Sequence, residues 1–135
     1  MAYSNIIDYV NIASTGNATD FGDLLEVLVY HSACSNGTRG IFTGGNNSVV
    51  HGTRIDVIQY VTIDTTGNSI DFGDLTSARD GHSAVSDGTK GLTGGGNTGS
   101  EVNTIDYVNI ASLGNSSDFG DLTLARDAMH ASSGD

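Results

Sequence analysis

The stretch Asp-Phe-Gly-Asp-Leu occurs three times in the 135-residue chain, at residues 20–24, 71–75 and 118–122. The copies begin 51 and 47 residues apart, a spacing that is typical of a repeat protein. A unit of about 50 residues forms one supersecondary element that cannot bury its own apolar face. We therefore expect the units to stack on one another, with a hydrophobic core between neighbours.

Four further motifs recur in a fixed order around this stretch. A Tyr-Val strand and a turn containing Gly-Asn precede it, and a His-Ser-Ala strand and a Gly-Gly pair follow it. Their positions are residues 9–12, 60–63 and 107–110 for the Tyr-Val strand, 15–17, 66–68 and 113–115 for the turn, 31–33 and 82–84 for His-Ser-Ala, and 44–45 and 95–96 for Gly-Gly. We interpret the chain as the second half of one unit, two complete units and the start of a fourth.

The local patterns favour β-strands. Residues 105–111 alternate in polarity and are rich in β-branched and aromatic side chains, which suits a pleated strand. Asn36-Gly37 and Asp87-Gly88 are strong hairpin signals, because both residues of each pair tolerate positive φ. Residues 24–30 have helix-like spacing but are too few for a helix, so we interpret them as a variant strand and loop.

The composition excludes several classes of function. Sixteen acidic and five basic residues give a net charge of −11, which should repel nucleic acid and anionic membranes. No apolar run approaches the ~18 residues of a membrane span, and residues 1–5 lack the features of a signal peptide. The single cysteine, Cys34, has Val85 as its repeat mate, so we expect it to pack as a small apolar residue. An intermolecular disulfide or a reactive thiol is the alternative.

The order of the motifs resembles the kelch repeat of β-propellers, and the resemblance covers nearly the whole chain. In one complete unit it runs through Arg79, residues 82–84, residues 87–88, Leu92, residues 95–96, Tyr107, Phe119 and Arg126. The resemblance implies four-stranded blades arranged radially, with the Gly pairs where backbones approach closely. The chain departs from the kelch pattern in having no Trp and in having Leu28 at the position of Arg79.

We predict one all-β domain over residues 1–135, with about two and a half to three four-stranded kelch-like propeller blades. Its parts are a partial blade at about 1–28, blades at about 29–79 and 80–126, and a partial strand at 127–135. A closed propeller has about four to eight blades, and fewer leave sheet faces unpaired. We therefore expect a homo-oligomer in which residues 6–24 of one chain supply outer strands and residues 129–133 of another supply an inner strand. Two chains would give about six blades, and the alternative is an open fibre that grows head to tail.

Repeated aspartates beside the Gly-Asn turns indicate a candidate calcium site in a Gly-containing loop. Carboxylate and amide oxygens are hard ligands of the kind that calcium favours. The candidates are Asp20, Asp23, Asp71, Asp74, Asp118 and Asp121, together with Asn17, Asn68 and Asn115. Asp and Asn are also the usual turn residues, so a structural role is the alternative. Apart from calcium, we expect no cofactor.

Three histidines form a candidate transition-metal site. His31 and His82 occupy equivalent positions in their units, and His130 lies one residue away from that position. The first strand of a propeller blade lines the central channel, so these imidazoles could meet there and bind zinc or nickel. The alternative is that each histidine packs against its neighbours or caps a turn.

Two arginines, Arg79 and Arg126, recur with the repeat. We expect each guanidinium to bridge carboxylates such as Asp74 or Asp121, or the carbonyl groups of neighbouring strands. Neither Gly-Gly pair is followed by Lys-Ser or Lys-Thr, so a nucleotide-binding loop is not predicted.

No catalytic constellation is visible, because the polar residues repeat with the fold, and we predict no enzymatic activity. The amino-acid sequence of the repeat also resembles kelch-like repeats in predicted virion and tail-fibre proteins of marine bacteriophages. This resemblance implies a self-assembling structural or adhesive component of a virion or an extracellular surface, with a host-surface glycan or protein as partner. The alternative is a lectin-like carbohydrate-binding propeller module. A lectin would be expected to carry aromatic residues in the loops at 46–54 and 97–103, and neither loop contains one.

Overall fold

The computed structural model describes residues 3–47 and 52–133 as an all-β chain with four antiparallel sheets. None of these residues lies in a helix, so the predicted all-β class is confirmed. Residues 1–2, 48–51 and 134–135 lie outside the described residues. They belong to the predicted partial blade, to the predicted loop at 46–54 and to the predicted partial strand at 127–135.

Thirteen strands form among the described residues. They are β1 (Ile6–Tyr9), β2 (Thr19–Asp23), β3 (Leu28–Val29), β4 (Ser32–Ser35), β5 (Arg39–Thr43), β6 (Asn46–Asn47), β7 (Thr53–Arg54), β8 (Val57–Thr62), β9 (Ile70–Asp74), β10 (Ser83–Ser86), β11 (Lys90–Gly94), β12 (Thr104–Asn109) and β13 (Ser117–Asp121). We call β1-β2 the N-terminal sheet, β4-β5-β8-β9 the middle sheet, β10-β11-β12-β13 the C-terminal sheet and β3-β6-β7 the connector sheet.

The middle and C-terminal sheets have the same construction. Each pairs four antiparallel strands in chain order, and each has a β-bulge at the same place in its fourth strand. The extra residue is Phe72 in the middle sheet, opposite Ile58 and Gln59, and Phe119 in the C-terminal sheet, opposite Ile105 and Asp106. The N-terminal sheet corresponds to the last two strands of this pattern, and its register shift follows Ile7.

Both predicted hairpins are present, and they join β4 to β5 and β10 to β11. Only their glycines adopt positive φ, 84° at Gly37 and 86° at Gly88. The side chains of Asn36 and Asp87 each accept hydrogen bonds from the backbone N–H groups two and three residues later. Although both residues of each pair tolerate positive φ, only the glycine uses it, because the side-chain oxygen of Asn36 or Asp87 closes the turn.

The core lies between the middle and C-terminal sheets, as the stacking of units requires. Its buried side chains are Ile41, Ile58, Phe72 and Leu75 from the middle unit and Val108 and Ile110 from the C-terminal unit. An edge-to-face pair of Tyr60 and Phe72 lies at 5.9 Å between ring centroids, and the same pairing recurs in the other two units. Because neither sheet could bury these side chains alone, the sheets stabilise each other.

The connector sheet joins the segment after the N-terminal sheet to the loop after the first Gly-Gly pair. In the next unit the same place holds only single bridges, from Asn97 to Asp80 and to Glu101. Residues 24–30, which we interpreted as a strand and loop, contain β3 and a turn but no helix, so that interpretation is confirmed.

Candidate functional site

The contacts between consecutive sheets follow one pattern. At the first seam, between the N-terminal and middle sheets, the Gly67 N–H donates to the carbonyl of Phe21 (2.7 Å) and the Ser69 N–H donates to that of Asp23 (2.8 Å). In return, the Asp23 N–H donates to the side-chain oxygen of Asn68 (3.0 Å). The Gly-Asn turn of one unit therefore holds the outer strand of the unit before it.

The second seam, between the middle and C-terminal sheets, repeats all three hydrogen bonds. The Gly114 N–H donates to Phe72 (2.9 Å), the Ser116 N–H donates to Asp74 (2.7 Å), and the Asp74 N–H donates to the side chain of Asn115 (3.0 Å). Because the bonds are the same at both seams, consecutive units are related by one repeated arrangement.

Glycines in the outer strands permit this close approach. A Cβ atom added at Gly22 would come within 3.0 Å of the carbonyl oxygen of Gly67, and one at Gly73 would come within 3.0 Å of that of Gly114. Both outer-strand glycines also have positive φ, 150° and 148°. No other residue type fits these positions without displacing the neighbouring backbone.

The Gly-Gly pairs also mark close contacts, as predicted. A Cβ atom at Gly44 would lie 2.7 Å from the carbonyl oxygen of Arg79, and one at Gly95 would lie 2.7 Å from that of Arg126. Each pair therefore packs against the backbone that leads into the next unit.

Arg79 crosses the second seam, and only 1% of its side chain is exposed. Its guanidinium donates to the Asp106 carboxylate (3.2 Å) and to the carbonyl oxygens of Gly95 (3.3 Å) and Thr104 (3.2 Å). Burial lowers the pKa of Arg79, and the charge of Asp106 opposes this shift. The predicted bonds to strand carbonyls are confirmed, but the predicted carboxylate Asp74 is wrong, because the side chain reaches into the following sheet.

Asp106 is fully buried and has its charge satisfied from several sides. Besides Arg79, its carboxylate accepts hydrogen bonds from the Thr76 N–H (3.0 Å), the Thr76 hydroxyl (2.8 Å) and the Ser116 hydroxyl (3.4 Å). A buried carboxylate is tolerated only with such pairing, so this group ties three segments of the second seam together.

The first seam has a neutral version of the same arrangement. Leu28 stands where the second seam has Arg79, and Gln59 stands at the position of Asp106. The Gln59 side-chain oxygen accepts hydrogen bonds from the Leu25 N–H (2.8 Å) and the Ser69 hydroxyl (2.6 Å). The residue at the position of Arg79 and the residue at the position of Asp106 therefore change together from one seam to the other. This pairing was not predicted from the sequence, although an alignment of the units contains the signal.

The outer faces of the N-terminal and C-terminal sheets carry the same apolar residues as the seams, but in exposed form. Phe72 is 3% exposed at the second seam, whereas its mate Phe119 is 53% exposed. On the opposite face, Val108 is 6% exposed, whereas its mate Val10 is 54% exposed and the nearby Ile12 is 97% exposed. These two faces are not covered by any other sheet within the described residues.

The six candidate calcium aspartates do not lie in loops. Asp20, Asp23, Asp71, Asp74, Asp118 and Asp121 lie in the outer strands β2, β9 and β13. The turn asparagine that approaches Asp23 is Asn68 of the next unit, and not Asn17 of its own. The predicted shared loop is wrong, because the bulged outer strand spans the whole Asp-Phe-Gly-Asp stretch. Among the residues that the structure describes, no group of three His, Cys, Asp or Glu side chains could hold a metal ion.

The three candidate histidines border one hollow of about 290 Å³ but have different surroundings. His82 is buried, and its Nε2 lies 2.9 Å from the Thr43 carbonyl oxygen and 3.0 Å from the Thr43 hydroxyl. Burial lowers the pKa of His82 to about 4, and the hydrogen bond to Thr43 opposes this only in part. Burial also lowers the pKa of His31, whose ring lies 6.2 Å from that of Phe42, whereas His130 is exposed. His82 therefore packs against its neighbours, which was the alternative to metal binding.

Cys34 packs against the core, as expected from its repeat mate. Its Sγ lies 2.9 Å from the point where Gly91 would carry a Cβ atom. Burial raises the pKa of the thiol to about 11, which suppresses the reactive thiolate.

Comparison with protein-family models and with curated proteins finds no match to this chain. No helix in the described part of the chain is long and apolar enough to cross a membrane. The geometry of the seams and of the two exposed faces is therefore the basis for inferring a function.

Proposed function

We propose that the chain is a non-enzymatic, kelch-like β-propeller repeat protein that self-assembles into a structural or adhesive component. In this proposal the middle and C-terminal sheets are two blades, and the N-terminal sheet is the outer half of a third. The observation that carries it is the contrast between the seams and the exposed faces. The seams repeat the same bonds, whereas the outermost faces present the same kinds of residue without cover.

The placement of the inner strands supports a radial arrangement. Strands β4 and β10 and residues 131–133 line one open groove of about 360 Å³. In a propeller the first strands of successive blades lie side by side around a central channel. The groove therefore corresponds to the part of such a channel that three successive units would line.

The exposed faces support self-assembly. Exposed sheet faces with several large apolar side chains mark sites of association or a risk of aggregation. The two faces differ from each other, so copies would join head to tail and form a ring or an open fibre. We place such an assembly on a phage virion or another extracellular surface, where it contacts a host-surface glycan or protein. The second resemblance in the sequence supports this location.

No contact among residues 3–47 and 52–133 favours the carbohydrate-binding alternative. The loop at 97–103 carries no aromatic residue on which a sugar ring could stack. We therefore retain the structural function.

The proposal is tested by sedimentation velocity and negative-stain microscopy of the whole chain. A salt concentration of about 0.15 M or higher screens the repulsion between acidic copies. We expect concentration-dependent assembly into rings or fibres of stacked units. A particle that remains a monomer at every concentration would contradict the proposal, and specific binding to a glycan array by that monomer would favour the lectin alternative.

A further inference from the structure

We infer that the C-terminal face of one copy binds the N-terminal face of a second copy in the register of the internal seams, with Arg126 of the first copy paired to Asp8 of the second. This contact rests on the proposed self-assembly and specifies how the copies meet.

The two residues occupy the positions of the buried pair at the second seam. Arg126 follows β13 as Arg79 follows β9, and Asp8 follows the register shift in β1 as Asp106 follows the register shift in β12. A second copy placed in the seam register therefore brings the Asp8 carboxylate to the Arg126 guanidinium. By the same correspondence, the Ile6 carbonyl takes the place of that of Thr104, which accepts from Arg79.

Both charges are exposed and available in the single chain. Among the described residues, the Arg126 side chain donates one hydrogen bond, to the carbonyl of Leu124 (3.3 Å), and neither Arg126 nor Asp8 forms an ion pair. The predicted bond of Arg126 to Asp121 is therefore wrong within one chain.

The charges match in the way that the seams require. Where the segment after the outer strand has Arg79, the next sheet has the carboxylate of Asp106. Where that segment has Leu28, the next sheet has the amide of Gln59. Arg126 therefore fits a unit with a carboxylate at this position, and Asp8 supplies one.

The backbone of the C-terminal face is ready for the remaining seam bonds. By the correspondence of the units, Gly16 and Ala18 of the second copy would donate to the carbonyls of Phe119 and Asp121. The Asn17 side chain of that copy would accept from the Asp121 N–H. Gly120 has nothing within 4 Å of an added Cβ atom, so the space taken up at Gly22 and Gly73 is open there.

Residues 127–133 begin a unit to which the second copy would add two strands. The Gly96 N–H donates to the Arg126 carbonyl (2.9 Å) and the Ala128 N–H donates to that of Gly81 (2.8 Å). The preceding unit makes the same two bonds, from Gly45 to Arg79 and from Gly81 to Tyr30. Residues 127–133 thus run beside the C-terminal sheet as a new inner segment, and β1 and β2 of the second copy would supply the third and fourth strands of a unit that lacks only the equivalent of β5 and β11.

A double-mutant cycle tests the pair with a combination that the chain already uses. Arg126→Leu alone or Asp8→Gln alone would leave one charge buried without its partner, and each should weaken association about 100-fold. The double variant recreates the Leu28–Gln59 combination and should restore association to within about tenfold of the original. Asp64→Gln, the removal of one acidic charge from an exposed turn, is the matched control and should leave association unchanged. Sedimentation equilibrium measures each dissociation constant, and circular dichroism checks each fold.

Disulfide trapping tests the register independently. The Thr76 hydroxyl lies 2.8 Å from the Asp106 carboxylate, so the equivalent positions 123 and 8 should meet across two copies. In a Cys34→Ala background, mixing a Thr123→Cys, Arg126→Leu variant with an Asp8→Cys variant under mild oxidation should give a mixed disulfide dimer, because their contact carries no unpaired charge. Each variant alone should give little dimer.

The outcomes separate the inference from the proposed function. Rescue in the double variant together with mixed disulfide dimers would support the register. Self-association without either result would overturn the register but leave the proposed self-assembly in place. Monomers at every concentration would overturn both.

Discussion

Arg79 and Asp106 form a salt bridge of 3.2 Å that ties one sheet to the next, and neither side chain is more than 1% exposed. A buried ion pair contributes little net stability compared with a well-packed apolar pair, but breaking it leaves a charge without compensation. The pair therefore specifies which unit follows which more than it stabilises the fold.

The first prediction concerns this pair within one chain. Arg79→Leu should lower the free energy of unfolding by about 3–5 kcal/mol, because it leaves the Asp106 carboxylate buried without its cation. Adding Asp106→Gln should restore most of that loss, since the same neutral combination, Leu28 with Gln59, already closes the first seam. Urea unfolding of both variants at dilute concentration measures the difference. If the double variant is as unstable as Arg79→Leu, the two positions are not coupled.

The second prediction compares two equivalent glycines. Gly73 and Gly120 have nearly the same positive φ, 148° and 146°, so replacement by alanine strains both backbones alike. Only at Gly73 does the added Cβ come within 3.0 Å of the Gly114 backbone, so Gly73→Ala should cost about 1–3 kcal/mol more than Gly120→Ala. Thermal unfolding of the dilute monomer gives this comparison. Equal losses of stability would mean that the seam does not hold its backbone spacing.

The all-β class and its antiparallel sheets were predictable from the sequence, because the repeat period, the strand patterns and the turn residues are signals within each unit. The close backbone contacts at the Gly-Gly pairs were also predicted correctly. The partners across the seams were not predicted, because Asn68 meets Asp23 and Arg79 meets Asp106 only after whole units stack. The Asp and Asn residues that lie close together in the sequence of one unit are separated by the stacking, because each turn asparagine bonds to the unit before it.

One position between consecutive sheets, two residues after Leu28, Arg79 or Arg126, has positive φ in all three units, although only one of them has glycine there. Tyr30 has φ of 57° and Ala128 has φ of 50°, whereas the equivalent residue between them is Gly81. We predict that Tyr30→Gly raises the free energy of unfolding by about 1 kcal/mol, because glycine removes the left-handed strain from an exposed position.

The reverse change, Gly81→Ala, is the matched control for this position. A Cβ atom there would meet no atom closer than 3.4 Å, so any loss of stability reflects backbone strain and should also be about 1 kcal/mol. Chemical denaturation of both variants measures the two effects. A loss of stability in Tyr30→Gly would show that contacts of the tyrosine outweigh its strain.

The last prediction follows from the buried imidazole of His82. Its Nε2 must carry the proton that bonds to the Thr43 carbonyl, and its Nδ1 is buried without a hydrogen-bond partner among the described residues. Burial lowers the pKa from 6.5 to about 4, so the unfolded chain binds this proton more readily than the native one does. The contribution of His82 to stability should therefore be complete above pH 6.5 and should fall as the pH drops from 6.5 towards 4, by about 3 kcal/mol over that window.

His82→Gln removes this titration and keeps a polar side chain at the site. Across the window from pH 6.5 to pH 4 the unfolding free energy of the variant should fall less steeply than that of the original chain, by up to about 1.4 kcal/mol per pH unit. Urea unfolding at a series of pH values measures both slopes, and the remaining carboxylates and His31 contribute equally to each. Parallel curves for the two proteins would show that His82 takes up its proton as easily in the native state as in the unfolded one, which the buried and unpartnered Nδ1 does not allow.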